Sequence, residues 1–490
     1  AFVDGGWPAL ACDPAWGGQG LPQLVDGATL EMHSSANHGW SMYPGILYGA
    51  YETIRAHGSD ALKARYLGKM ARGEWLAAMA LTEPHAGSDL GALRTKAVPR
   101  ADGSVAVSGS KIFISGGDHD LTDNIVHLVL ARLPDAPPGT KGLSLVLVPK
   151  VLPDGTRNAW SVDGLEHKMG IHGSATCATR YEGATGWLVG EPNRGLAAMF
   201  VMMNSARLHV GLQGVGHLEM ATQNALRQAF EREQFRGPIA RQPAMRHLLL
   251  RLQALAEGLR VVAYRAALAI DESHHHDDEA ARQRAGALAA LLTPVVKAWA
   301  SQHGFAGAAA AQQVWGGFGY VRETGIEQTV RDARISAIYE GTNEIQAIDL
   351  LQRKVLADGG RALAWLGAEC EAEAARIEAV ADAEALPFAA ALRAQVAAAT
   401  AATEAVVAAG AADAEAPLRA ADDYLAGIAH LLLAWAWAAS ARATVALPAT
   451  PAGAARMERL QYALAHLLPQ AAVHWQRVHA CPMALPPLRH

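Results

Sequence analysis

The sequence predicts an α+β protein of four domains. These are an N-terminal helical domain over residues 1–76, a central β domain over 77–190, a C-terminal helical bundle over 191–356 and an additional Ala-rich helical domain over 357–490. Three observations carry this prediction. Hydrophobic spacing is helical up to about Leu76, breaks into short β-branched runs from Ala77, and returns to helical spacing after Leu196. The tail is dominated by Ala, the best helix former. With 51% hydrophobic and 18% charged residues among 490, the chain has material for a large core and too little charge for disorder.

In the N-terminal domain, "DALKARYLGKMARGEW" sets Leu62, Tyr66, Leu67 and Met70 at helical spacing with Lys and Arg between them. Then "GSVAVSGSKIFISGG", "NIVHLVLARL" and "KGLSLVLVPK" alternate partially and are divided by turn clusters such as "PDAPPGT". This texture lasts to "GWLVGEPNRG". Next come two long amphipathic patterns, "GLQGVGHLEMATQNALRQAFEREQF" and "AMRHLLLRLQALAEGLRVVAYRAALAI". The polar break "DESHHHDDEAARQR" separates the second from "AGALAALLTPVVKAWASQHGFAGAAAAQQVW". From about Ala357 the helices are Ala/Glu/Arg-rich, with turns marked by Pro387, Pro417, Pro448 and Pro451. No repeat of solenoid length is present.

A formal net charge of −5 argues against a general nucleic-acid binder, which carries a basic excess. Cys12, Cys177, Cys370 and Cys481 form no CxxC pair and no zinc-like grouping, so reduced thiols and a cytoplasmic location are expected, with no metal. The opening "AFVDGGWPAL" has neither an initiator Met nor a signal pattern and is expected to begin partway into a longer chain. Tyr424–Ala441 is uncharged and approaches spanning length, but His430 and the Ala-rich sequence around it favour a buried bundle helix over a membrane span.

Several stretches offer chemistry. "GLQGVG", "GGFGY" and "WGGQG" are glycine clusters, yet none is a GxGxxG between a strand and a helix, so any dinucleotide binds otherwise than in the Rossmann manner. The glycines of "GLQGVG" lie in a helical pattern and are expected to permit close packing. "HHHDD" from His274 reads as a solvated turn without a second cluster to complete a metal site. "LTEPHAGSDLGALRTKA" carries the hydroxyls Thr82 and Ser88 where helical sequence gives way to strands, and suits either a ligand-facing loop or an ordinary capped turn. In "RISAIYEGTNEIQ", Glu340 lies between Ile338–Tyr339 and a glycine, just before a helix start with Asn343 as its expected N-cap and Gln346 as reciprocal partner. A solvated loop carboxylate and a base aimed at a substrate both fit that stretch.

"LTEPHAGSD", "KIFISGG", "REQF", "QVWGGFGY" and "IYEGTNEIQ", in this order and spacing, resemble the acyl-CoA dehydrogenase family over roughly Trp7 to Leu356. Details such as "HKMGIHGSATC" look most like its 3-methylmercaptopropionyl-CoA dehydrogenase branch. The resemblance implies that family's fold, with the fourth domain as an appendix. It also implies FAD as cofactor, an acyl-CoA substrate, electron-transfer flavoprotein or a similar acceptor, and a homodimer or homotetramer. It makes Glu340 the catalytic base. Thr82, Phe113 and Ser115 would line the flavin, with Ser88 where cofactor and substrate meet. Arg232, Gln234, Gln313 and Gly317 would reach the FAD of a neighbouring subunit, and Thr342 and Gln346 would contact the cofactor. Arg207 and Gly341 would lie at the CoA ester and thioester. Phe113 and Ser115 replace the family's common Trp and Thr while keeping an aromatic face and a hydroxyl, and His85 replaces a common Gly.

The chemistry suits these residue types. The α-proton of a thioester is a weak acid, so its removal near neutral pH needs a base and a stabilised enolate oxygen. Apolar neighbours raise a carboxylate's pKa, whereas a helix entrance lowers it. The resemblance implies α,β-dehydrogenation to a trans-2-enoyl-CoA, of 3-methylmercaptopropionyl-CoA or a fatty acyl-CoA. An acyl-CoA oxidase passing electrons to oxygen is the near alternative. A low-turnover flavin-carrying, DNA-associated relative is the alternative of a different class, disfavoured by the acidic charge.

Overall fold

The computed structural model describes residues 1–488, and the chain falls into two compact units, Ala1–His209 and Val210–His490.

The first unit opens with short 3-10 turns in a stretch whose sequence reads as helical. Pro8, Pro14 and Pro22, with Gly17 and Gly20 at positive φ, break any longer helix there. Helix α1 (Gln23–His57) kinks at Asn37, whose Oδ1 accepts from Trp40 N at 3.0 Å and so restarts the helix. Ser59 caps α2 (Asp60–Ala71). Gly73, at φ 69°, turns the chain into strand β1 (Trp75–Ala80), so strand begins slightly earlier than the spacing predicts.

Among the described residues the remaining strands of this unit are β2 (Lys96–Pro99), β3 (Val105–Ser115), β4 (Asn124–Arg132), β5 (Leu143–Pro149), β6 (Trp160–Leu165) and β7 (Thr176–Val189). Following the pairing from β4 through β2, β3, β7 and β5 leads back to β4, so these strands close on themselves; β1 runs parallel beside β4, and β6 flanks β7. Closure removes long open edges. The alternation in β4 separates two cores. Val126, Leu128 and Leu130 join Tyr51, Ile54, Tyr66 and Met70 of the helices, while Ile125, Val129 and Ala131 join Val107, Ile114, Val146 and Tyr181. A strand covered on both faces needs the near-continuous apolar run its sequence shows.

Helix α3 (Gly195–Glu231) leads into the second unit and ends in a small hairpin, β8 (Glu233–Gln234) with β9 (Gly237–Pro238), turned by Phe235 and Arg236 at positive φ. There follow α4 (Pro243–His275), α5 (Glu279–Val295), a π-helical turn at Val296–Ala300, and α6 (Ser301–Gln312). The expected close packing at "GLQGVG" is present: a methyl on Gly211 would lie 2.4 Å from Val296 Cγ1, and one on Gly214 would lie 2.3 Å from Ala300 O. His274 and His275 end α4, and Asp278 caps α5. Then come α7 (Ile326–Arg334), α8 (Asn343–Ile348) and a second π-helical stretch, Asp349–Leu356.

The tail forms α9 (Arg361–Val380), α10 (Leu386–Ala412), α11 (Ala416–Val445), α12 (Pro451–His466) and α13 (Ala471–His479). Pro387, Pro417 and Pro451 each stand in a helix's first turn, where no N–H is needed. Among the described residues, α10 and α11 are long and apolar enough to cross a membrane by length and composition. The most apolar window of α11 is 89% buried inside the protein, as a central bundle helix must be; that of α10 is only 17% buried. Trp437 of α11 donates from Nε1 to Ala254 O at 3.0 Å, pinning the tail to α4.

Candidate active site

In the second unit, Glu340 has φ 58° and is followed by Gly341 at φ 83°. Left-handed backbone at a non-glycine residue is strained and persists where its surroundings enforce it. Several contacts do so here. Gln346 Nε2 donates to Glu340 O at 2.9 Å, and Lys297 Nζ donates to Gly341 O at 2.6 Å and to Asn343 Oδ1 at 3.0 Å. The Tyr339 hydroxyl donates to Gln213 Oε1, and burial pushes that phenol's pKa far up, so it stays a donor. A Cβ on Gly341 would come within 2.8 Å of Gln346 Nε2, so glycine alone leaves that amide its place.

The expected capping differs. Thr342, not Asn343, is the N-cap of α8, accepting loosely from Ile345 N at 3.5 Å. Asn343 is drawn inward instead, its Nδ2 donating to Ala298 O at 3.1 Å and its Oδ1 accepting from Ser301 at 3.2 Å. Gln346, wholly buried, serves the Glu340 carbonyl rather than the cap. Side-chain competition from the π-helical turn overrides the local capping box.

Arg232, Gln234, Gln313 and Gly317 come together in the same unit, on a cleft of about 600 Å³ that Phe235, Gly316 and Phe318 also line. A guanidinium, carboxamides and open glycine backbone are groups that hold a phosphate, and nothing lies within 4 Å of where a Cβ on Gly316 or Gly317 would be. Phe235 and Phe318 are largely exposed and offer flat faces for an aromatic ring. This donor set fits a dinucleotide such as FAD.

In the first unit, Thr82 and Phe113 are brought side by side, since Thr82 O accepts from Ile112 N at 2.9 Å. The pairing of β3 with β7 slips between Lys111 and Ile114, and this bulge holds Phe113 at φ 61° with 59% of its surface exposed. Ser115 follows, half-buried, while Ser88 is exposed in the loop after β1. Arg207 of α3 is buried. His85 Nε2 lies 3.1 Å from Ala92 O and 3.6 Å from Glu83 Oε2, so it braces its own loop.

Two features of this wall escape sequence reasoning. Glu83 is buried, accepting from Arg94 N, Thr95 N, Thr95 Oγ1 and the wholly buried Lys111 Nζ at 2.6–2.9 Å. Burial works against its charge, but Lys111 and these donors outweigh it and hold the carboxyl down at about 2. Lys111 also donates to Leu81 O at 2.8 Å, tying the Thr82 loop to β3. His127, buried inside the strands, lies 2.7 Å from both Gly117 O and the Tyr181 hydroxyl. A carbonyl only accepts, so Nε2 carries the proton and Nδ1 accepts from Tyr181. Burial lowers its pKa to about 4, so it is neutral and anchors the turn after Ser115. The signal available was an unpaired-looking charge or imidazole at an inward register position of an apolar strand.

Family models for acyl-CoA dehydrogenases match the chain over three stretches: the N-terminal domain at residues 1–74, the middle domain at 78–184 and the C-terminal domain at 193–356. A 3-methylmercaptopropionyl-CoA dehydrogenase of Ruegeria pomeroyi is 46% identical over 374 residues, 74% of this chain and 63% of its own length. A broad-specificity linear acyl-CoA dehydrogenase of Mycobacterium tuberculosis is 39% identical over 396 residues, 76% of this chain and 64% of its own. The chain thus spans just under two thirds of the length of these two relatives. The crystal structure of a Bacillus anthracis acyl-CoA dehydrogenase complexed with FAD superposes with a TM-score of 0.82 at 22% identity, over 97% of this chain and 81% of that one, and so shares the fold, tail included.

Proposed function

The chain belongs to the acyl-CoA dehydrogenase family, whose cofactor is FAD, and from that premise we propose that it dehydrogenates an acyl-CoA thioester to the trans-2-enoyl-CoA, with Glu340 as base. The observation that carries this reading is the strained, multiply held Glu340–Gly341 turn. Its carboxylate takes the α-proton while its main-chain N–H donates to the thioester carbonyl and stabilises the enolate oxygen. Gly341 lets the thioester approach the backbone. A bound FAD would supply, at its flavin N5, the acceptor for the β-hydride that leaves as the double bond forms. Of the first unit, Thr82, Ser115 and Phe113 would hold and face an isoalloxazine, with Ser88 where cofactor and substrate would meet; of the second, Thr342 would contact the cofactor, while the wholly buried Gln346 acts through the Glu340 carbonyl it holds. Arg207 would bind the CoA ester. Arg232, Gln234, Gln313 and Gly317 would hold the FAD of a neighbouring subunit in a homodimer or homotetramer, and a cytoplasmic location is part of the same reading.

The names of the two relatives support a short sulfur-bearing or a linear acyl group, and the acceptor in this reading is an electron-transfer flavoprotein or a similar protein. A second reading, an acyl-CoA oxidase, shares the base and passes electrons to oxygen, and hydrogen peroxide formation in air distinguishes it. The test of the main reading is anaerobic bleaching of the bound flavin by 3-methylmercaptopropionyl-CoA, butyryl-CoA and longer thioesters. Glu340→Gln is expected to slow bleaching by about 10²–10⁴-fold. Bleaching at the wild-type rate in that variant removes Glu340 as base.

A further inference from the structure

Lys297 is wholly buried, in the π-helical turn between α5 and α6, with Val296, Ala298, Trp299 and Ala300 buried around it. A buried ammonium is costly unless its donors are taken up. Two of this one's donors go to the turn that follows Glu340: to Gly341 O at 2.6 Å and Asn343 Oδ1 at 3.0 Å. The same π-helical turn supplies Ala298 O to Asn343 Nδ2, and Ser301 just beyond it supplies a hydroxyl to Asn343 Oδ1. π-Turns place side chains where a regular helix does not, and they recur at functional sites. Here the wide turn brings a cation and a carbonyl to bear on one short segment, which holds two consecutive left-handed residues.

Resting on the reading of Glu340 as base, we propose that Lys297 is the positioning residue for that base: its ammonium clamps the Gly341 carbonyl and, through Asn343, the entry to α8, and so fixes the left-handed turn from which the carboxylate reaches the α-carbon. Gln346 holds the Glu340 carbonyl from the other side, so the peptide planes on either side of Gly341 each have one anchor. Without the clamp, Glu340 relaxes toward ordinary backbone and its carboxylate moves by a fraction of a residue length. Misplacement of about 1 Å in a reacting group costs about 10²-fold in rate. The chemical step suffers more than acyl-CoA binding, because the turn's contact with the thioester is one of several that hold the substrate, whereas the carboxylate is the sole base.

The experiment uses the flavin-loaded protein with butyryl-CoA and its α-deuterated form. In Lys297→Met, the anaerobic bleaching rate per bound flavin is expected to fall about 10²-fold, with a raised α-deuterium isotope effect and a much smaller change in KM. Lys297→Arg, which keeps a cation, recovers some of the rate. Hydrogen exchange of the segment 338–346 rises in Lys297→Met and not elsewhere in the second unit. A wild-type rate and isotope effect in flavin-loaded Lys297→Met overturn the proposal, as does a rate loss that follows flavin content alone. If Lys297→Met does not fold, Asn343→Ala removes one acceptor of the clamp, and an unchanged isotope effect there overturns it equally. Glu340→Gln, run beside them, separates the two ideas: retained bleaching in that variant sinks the base itself, whatever the lysine does.

Discussion

Glu340 and Glu83 show how differently two carboxylates of one chain can be used. Glu340 stands at a strained backbone position next to glycine, whereas Glu83 is sealed in with four hydrogen-bond donations, one of them from Lys111. Removing one partner of such a pair leaves the other buried and uncompensated, at a cost of about 3–5 kcal/mol. Glu83→Gln is therefore expected to lower the Tm of the first unit sharply, and adding Lys111→Met to restore much of the loss, as a double-mutant cycle by calorimetry would show. The sign with pH follows from the depressed carboxyl. Its contribution is whole above the ordinary value of 4.5 and is lost as pH falls toward about 2, so the gap between wild type and Glu83→Gln narrows over that range. The stretch around Glu340 was legible in the sequence because the helix start and the glycine lie next to it. Lys111 and Lys297 were not, because a lysine in an apolar run carries no local sign of the distant backbone it will bind.

At the scale of elements, the sequence pattern announced the strands and long helices through their periods, and the Pro-marked starts of α10, α11 and α12 through their missing N–H groups. It misjudged the first residues, where prolines and left-handed glycines make turns out of a helical-looking composition, and the cap of α8, where Asn343 is taken by the π-helical turn. The glycines of α3 were among the legible features. Gly214 faces Ala300 O so closely that Gly214→Ala must push the helices apart, and overpacking of this kind costs about 1–3 kcal/mol. A fall in urea midpoint without a change in slope would be the expected reading, and an unchanged midpoint would mean that the helices separate freely. The bulge in β3 is the opposite case: nothing in "KIFIS" tells that Phe113 will be turned outward, because a slip in pairing is a property of two strands and not of one.

For the whole molecule, the tail is the region the family motifs do not reach. Its helix α11 is enclosed while α10 exposes an Ala-rich apolar surface, and we propose that this surface meets another subunit. A chain ending at Leu356 is then expected to lose its oligomeric state on a sizing column, and one that keeps both oligomer and flavin contradicts this. The four cysteines give the molecule a further property. All are buried free thiols, two in each unit, and burial pushes every one of their pKa values up, so alkylating reagents find no thiolate until the chain opens. Cys12 and Cys177 thereby report the opening of the first unit, and Cys370 and Cys481 that of the second. Labelling followed by peptide mass analysis reads two local clocks in a single native sample, and the protein carries its own probes for telling which unit yields first.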